Sequence, residues 1–225
     1  MKTKLKKIHL GCGTIAPLDW INIDSSWNAW LAKYPLLRKL IQLTGIINRD
    51  LLNIPWPKNI LLYNITKNLP FEDNSIDCIY SSHSLEHLYL EQAKRLLKEC
   101  YRILKPKGII RIVVPDLKSL VTEYLSSTPR ELGGYDTNAD RFISNLHFKL
   151  PNPRFSNFIF DFYQILNDTD SHKWMYDVHS LTFYLEKAGF INIKTKKLFQ
   201  SKISDIRKVE QPIRLENAIC LEAEK

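Results

Sequence analysis

Gly11 and Gly13 sit one residue apart behind the apolar Ile8 and Leu10, and Trp20-Ile21-Asn22-Ile23-Asp24 follows with a carboxylate at its end. That combination suits the binding of a nucleoside. Glycines let a backbone turn sharply and approach a ligand with no side chain between them. A carboxylate at the tip of the neighbouring strand can then accept hydrogen bonds from ribose hydroxyls. An ordinary tight turn also contains Gly-x-Gly, so the surrounding elements must decide.

Those elements read as strands and helices in alternation. Ile8 to Leu10 resembles the end of a buried strand, and Ser75 to Tyr80 is a short apolar run suited to a parallel one. Leu88 to Leu104 puts Leu90, Ala93, Leu96, Leu97, Cys100 and Leu104 on one helical face. Lys105-Pro106-Lys107-Gly108 is expected to end that helix, and Ile109 to Val114 to form the next strand. Such a crossover is right-handed and parallel, and ligands bind beyond the carboxyl ends of its strands. Gly11, Asp24, Asn64, Ser81 and Pro115 fall at those ends.

The chain then resembles a known family. Leu69 to Leu88 reads Leu-Pro-Phe-Glu-Asp-Asn-Ser-Ile-Asp-Cys-Ile-Tyr-Ser-Ser-His-Ser-Leu-Glu-His-Leu. From Leu96 it reads Leu-Leu-Lys-Glu-Cys-Tyr-Arg-Ile-Leu-Lys-Pro-Lys-Gly and then Ile-Ile-Arg-Ile-Val-Val-Pro-Asp. These motifs, in this order, resemble the class I methyltransferases that use S-adenosylmethionine, type 11 branch, over residues 8–116 and 173–190. The resemblance implies an α/β, Rossmann-like, doubly wound and mostly parallel seven-stranded sheet, with a C-terminal antiparallel hairpin and a helical cap insertion. It implies one domain over residues 1–225 with insertions at about 25–58 and 117–172. The implied cofactor is S-adenosylmethionine, held by Gly11, Cys12, Gly13, Asp24, Asn64, Ile65, Ser81 and Ser82.

Composition is consistent with this and excludes other classes. The 225 residues are 44% apolar, enough for a sizeable core, and contain no internal repeat or low-complexity tract. Cys12, Cys78, Cys100 and Cys220 have no metal-ligand spacing, and a reducing, cytoplasmic setting is the simplest inference. The basic N-terminus is too short and polar for a signal-peptide core, and no run approaches the roughly 20 apolar residues of a membrane span. A net charge of +8 favours anionic partners. Lysines cluster at 2 to 7 and 194 to 202 without interleaved aromatics, which makes nucleic acid the weaker expectation.

The chain departs from the family pattern near the glycine turn. Nine residues separate Leu10 from Trp20, Pro17 among them, so the helix that usually follows the first strand is expected to shrink to a turn. Ile15 replaces the third small residue of the turn, His9 an acidic residue, and Asn64 an aspartate that commonly contacts adenine. Trp27 to Ile41 shows helical spacing, expected to cover sheet surface left bare by the short crossover. Leu117 to His172, with Phe142, Phe148, Phe155, Phe158, Phe160, Phe162 and Tyr163, is expected to cap the cofactor edge and form the acceptor pocket.

Methyl transfer from a sulfonium is an in-line displacement, and a hydroxyl acceptor must also lose a proton. A histidine suits that task. His83 is the first candidate base, at the tip of the fourth strand, with His147 and His172 approaching from the cap. The His83-Ser84-Leu85-Glu86-His87 match to inverted zinc peptidases is accidental, since that motif lies within a helix. Some quinone-pathway O-methyltransferases hold a divalent metal with Glu-x-x-Glu-His at this place. His83, Glu86 and His87 would share a helical face for such an ion; the plainer reading has no metal, with Glu86 capping the helix and His87 packing beside the cofactor. Tyr176 and Asp177 either face the acceptor, or Asp177 caps the helix expected from about Ser180 to Ala188.

The expected function is methylation of a small or carrier-linked acceptor, most plausibly a sugar or polysaccharide-precursor hydroxyl. A nucleic-acid or protein methyltransferase and a non-catalytic relative are the alternatives.

Overall fold

A computed structural model describes residues 5–44, 54–126, 137–148 and 171–225. Its strands are β1 (Lys7–Leu10), β2 (Ile21–Asp24), β3 (Ile60–Leu62), β4 (Ile76–Ser82), β5 (Leu104–Pro115), β6 (Ile191–Thr195) and β7 (Ala218–Glu224). They form a single seven-stranded sheet in the order β3-β2-β1-β4-β5-β7-β6. The first five pair in parallel, and β7 runs antiparallel to both β5 and β6. The helices are α1 (Trp27–Ala32), α2 (Pro35–Thr44), α3 (Leu90–Ile103), α4 (Leu117–Ser126), α5 (Asn138–Asn145) and α6 (Val178–Ala188).

One face of the sheet carries the larger core. Ile8, Ile79, Ile112 and Leu221 meet Leu96, Leu97, Cys100 and Ile103 of α3 and Leu181 and Leu185 of α6. Helix α6 starts at a capping box in which Asp177 accepts from the Ser180 amide at 2.7 Å, so the capping alternative for Asp177 holds. It ends at Gly189, whose φ of 106° is the left-handed stop that glycine accommodates. Tyr176 is buried in this core, with its hydroxyl unpartnered.

The opposite face is built differently from the expectation. No helix follows β1, and residues 11–20 contain only turns, as the short spacing implies. Trp20, Tyr80, Val113 and Cys220 on that face are covered by Ile203, Ile206 and Val209 from the connection between β6 and β7. The 27–41 stretch therefore does not provide this cover. It is also two helices, because Pro35 lacks the amide needed to continue a helix and instead opens α2. Lys33 of the intervening turn donates to the Ile60 carbonyl at 2.9 Å, tying α1 to β3.

Arg111 of β5 anchors the covering connection. Its side chain is fully buried and donates to Glu210 at 2.8 Å, to the Gln200 carbonyl at 2.9 Å and to the Lys197 carbonyl at 3.0 Å. Glu222, its cross-strand partner on β7, lies 3.4 Å away. The cation thus has charge and hydrogen-bond partners on several sides, as a buried guanidinium requires.

Lys105 to Gly108 does not separate α3 from β5 as expected. Helix α3 passes directly into the strand at Leu104. Leu104 pairs with Ile76 and Ile109 with Cys78, so the residues between loop out of register. The Lys107 amide and the Gly108 carbonyl bond instead to Lys225 at the C-terminus. Of the expected cap, α4 and α5 pack together through Tyr124 and Phe142, with ring centroids 5.1 Å apart. Phe155, Phe158, Phe160, Phe162 and Tyr163 lie outside the described residues. No helix among the described residues is long and apolar enough to cross a membrane.

Candidate functional site

A cavity of about 610 Å³ opens at the carboxyl ends of β1, β2 and β4. Gly11, Cys12, Gly13, Asp24, Asn64, Ile65 and Ser82 all line it. Ser81 does not: it is buried within β4, and its hydroxyl has no partner. Strand alternation explains this, since Ser81 and Ser82 project to opposite faces.

Both glycines adopt left-handed backbone conformations. Gly11 has a φ of 63°, and a Cβ there would fall 1.9 Å from Ser84 Oγ, so the turn packs directly on the loop after β4. Gly13 has a φ of 53°, but a Cβ there would meet nothing within 4 Å. Its missing side chain leaves open space beside the cavity. The Gly13 amide donates to Asp24 Oδ2 at 2.9 Å, and the Ser26 amide to Oδ1 at 2.8 Å. Each carboxylate oxygen keeps a lone pair for a further donor.

The remaining wall is polar. Asn64 Oδ1 accepts from the Thr66 amide and hydroxyl at 2.9 and 2.8 Å, holding Ile65 and Thr66 in a turn at the cavity edge. Burial, with the Asp24 charge behind it, pushes the Cys12 thiol up to about 12, so it stays protonated at neutral pH. His9 is pushed down to about 4 by burial and places its Nδ1 3.0 Å from the Ile15 carbonyl. A neutral imidazole therefore stands where the family commonly has an acid.

His83 lies on the wall with a φ of 50°. Its Nε2 is 2.8 Å from the Arg214 carbonyl, and its Nδ1 is 3.2 Å from Glu86 Oε1. His147 and His172 do not line the cavity but stand behind His87, which does. The His172 ring lies 5.2 Å from that of His87 and 5.1 Å from that of His147. Burial lowers the proton affinity of His172. Glu86 does not cap α3. It sits in a separate turn over Leu85–His87, while Gln92 accepts from the Tyr89 amide at the helix start.

Val209, Gln211 and Arg214 complete the wall. They come from the β6–β7 connection held by Arg111, which no motif in the sequence marks as part of a site. Ser84 and Thr14 also line it. The tight approach to Gly11 is the signal by which Ser84 could have been found.

The strand order, with its antiparallel β7, is that of the Rossmann-like methyltransferase fold, and residues 44–112 match the family model described as a methyltransferase domain. The cofactor of such a fold is S-adenosylmethionine. The open space at Gly13, the Asp24 carboxylate and the Asn64 to Thr66 turn fit that nucleoside cofactor.

Among particular proteins, it is similar to a phosphoethanolamine N-methyltransferase of Plasmodium falciparum (isolate 3D7), at 29% identity over 86 residues. That alignment covers 38% of this chain and 27% of that protein, so the chain spans about a quarter of the curated relative it matches. An Archaeoglobus fulgidus S-adenosylmethionine-dependent methyltransferase structure has a TM-score of 0.49 at 18% identity, covering 100% of this chain and 87% of that one. Human N-acetylserotonin methyltransferase, solved with S-adenosylmethionine, has a TM-score of 0.48 at 15% identity, covering 97% of this chain and 47% of that one.

Proposed function

We propose that the chain methylates a hydroxyl of a small or carrier-linked acceptor, a sugar or polysaccharide precursor, with His83 as the general base. The observation carrying this reading is that the His83 imidazole lines the same cavity as the glycine turn and Asp24. Arg214, Gln211, Ser82 and Ser84 on the same wall suit a polyhydroxylated, anionic acceptor. The four cysteines are free and buried, which supports a reducing, cytoplasmic setting.

Bound S-adenosylmethionine supplies an electrophilic methyl group. Asp24 accepts the ribose hydroxyls while holding the turn through Gly13. Ile65 offers an apolar face to the adenine, and Asn64 fixes the Ile65 turn. His83 takes the acceptor proton after its ring releases the Arg214 carbonyl. The Pro212–Leu215 turn carrying that carbonyl is the element that must yield.

The nucleic-acid alternative is less well supported. Lys194, Lys196 and Lys202 lie with Glu222 and Glu224 along the β6–β7 edge and do not line the cavity. Calorimetric titration with S-adenosylmethionine and S-adenosylhomocysteine, followed by labelled methyl transfer to sugar, nucleotide-sugar and amine acceptors, tests the proposal. Micromolar cofactor binding and turnover of a hydroxyl acceptor are expected. A folded protein that binds neither cofactor, or one that methylates only amines such as phosphoethanolamine, overturns it.

A further inference from the structure

We propose that Glu86, His87 and His172 form a binding site for a divalent transition-metal ion, open on the side where His87 meets the cavity. Candidate ligand atoms of these three residues all lie within 4.8 Å of one another. The set differs from the motif in the sequence: His172, far along the chain, takes the place of His83. Backbone bonds account for that meeting, since the Lys173 and Trp174 amides both donate to the Glu86 carbonyl, at 2.7 and 3.1 Å.

The carboxylate is the strongest indication. Glu86 is 0% exposed, and neither of its oxygens accepts a hydrogen bond. His83 Nδ1 at 3.2 Å makes an ion contact with one oxygen only. Buried carboxylates are normally paired and hydrogen-bonded, or bound to metal. His172 Nδ1 is likewise buried with no partner. Three unsatisfied buried atoms in one cluster need a common partner, and a cation meets all of them.

The His87 imidazole is oriented as metal ligands are. His87 Nδ1 lies 3.1 Å from the Ser171 carbonyl, and donation there leaves the Nε2 lone pair free. His172 offers its buried, unpartnered Nδ1. Ligating histidines commonly donate their other ring nitrogen as His87 does, which fixes tautomer and ring plane. Two imidazoles with one carboxylate favour zinc or a similar ion over calcium or magnesium, and three protein ligands leave a coordination position open.

The role of the ion, though not its binding, rests on the hydroxyl acceptor proposed above. An acceptor hydroxyl at the open position is acidified and loses its proton to His83 or solvent. The new oxygen–carbon bond forms as the sulfonium–methyl bond breaks, leaving a neutral thioether.

The test is competition of chelator-treated full-length protein with a chromophoric chelator for Zn²⁺, together with Co²⁺ absorption spectra. One equivalent should bind, with visible Co²⁺ bands. Glu86→Gln and His172→Ala should each weaken binding more than the roughly 10- to 100-fold cost of losing a group that only orients a ligand. His179→Ala, on the exposed face of α6, should change nothing. Glu86→Gln is isosteric, and thermal melting confirms its fold if His172→Ala fails to fold. No stoichiometric binding by folded wild type, or undiminished binding in the folded ligand variants, overturns the site. S-adenosylhomocysteine titration of the same samples separates the two proposals. Cofactor binding without metal binding removes only the ion, and metal binding without cofactor binding removes only the cofactor reading.

Discussion

Asp24 Oδ2 accepts the Gly13 amide at 2.9 Å, so the carboxylate at the tip of β2 holds the turn after β1 as well as facing the cavity. Asp24→Ala removes both functions. Cofactor affinity should fall by about 1–3 kcal/mol, the cost of losing a charged hydrogen bond. Asp24→Asn should retain most of the thermal stability, because one oxygen can still accept from Gly13. Calorimetry and melting of the two variants separate ribose contact from turn support, and unchanged affinity in the alanine variant removes Asp24 from the ribose role.

The two glycines should fail differently. Alanine at either position adopts a left-handed conformation costing about 1–2 kcal/mol. Gly11→Ala must also displace the Ser84 hydroxyl, so it should be the less stable variant, partly rescued by Ser84→Gly. Gly13→Ala meets no protein atom and should fold nearly normally while losing cofactor affinity. Equal effects on melting and binding at the two positions contradict this division.

His83→Ala should slow turnover while leaving cofactor affinity nearly intact, as the role proposed for it is that of base and not of cofactor contact. Arg214→Ala should leave the His83–carbonyl contact in place, because that contact is to the backbone. Its effect should instead appear as a raised KM for anionic acceptors. If His83→Ala matches wild-type turnover, His83 is not the base.

His9 provides a pH signature of folding. Its folded-state value of about 4 lies below the ordinary 6.5, so the unfolded chain takes up this proton first on acidification. Its contribution is therefore complete above 6.5, declines as pH falls through the window to about 4, and is then constant. The loss is about 3 kcal/mol. His172 titrates in the same direction. Denaturant unfolding at pH 7, 5.5 and 4 should show a flatter profile in His9→Gln than in wild type, and parallel profiles count against the buried neutral imidazole.

Much of the sheet could be read from the sequence because parallel strands bury both faces and leave short apolar runs, as at Ile76 to Tyr80. Local signals also indicated the missing first helix and offered the Asp177 cap as one of two readings. What could not be read depends on distance along the chain. His172 meets Glu86 through backbone bonds that no periodicity reveals. Arg111 looks like an interruption of an apolar strand until Glu210 and Glu222 are seen around it. The 27–41 stripe hides a break, because apolar spacing continues across Pro35 while the helical backbone does not.

The Arg111 clamp also bears on how the protein could diversify. It secures a wall bearing Val209, Gln211 and Arg214 while sharing no residue with the glycine turn or with Asp24. On the proposed function, acceptor preference and cofactor affinity can therefore drift independently. Grafting residues 209–215 from a relative that keeps the arginine and its two glutamates is a minimal route to retargeting the enzyme.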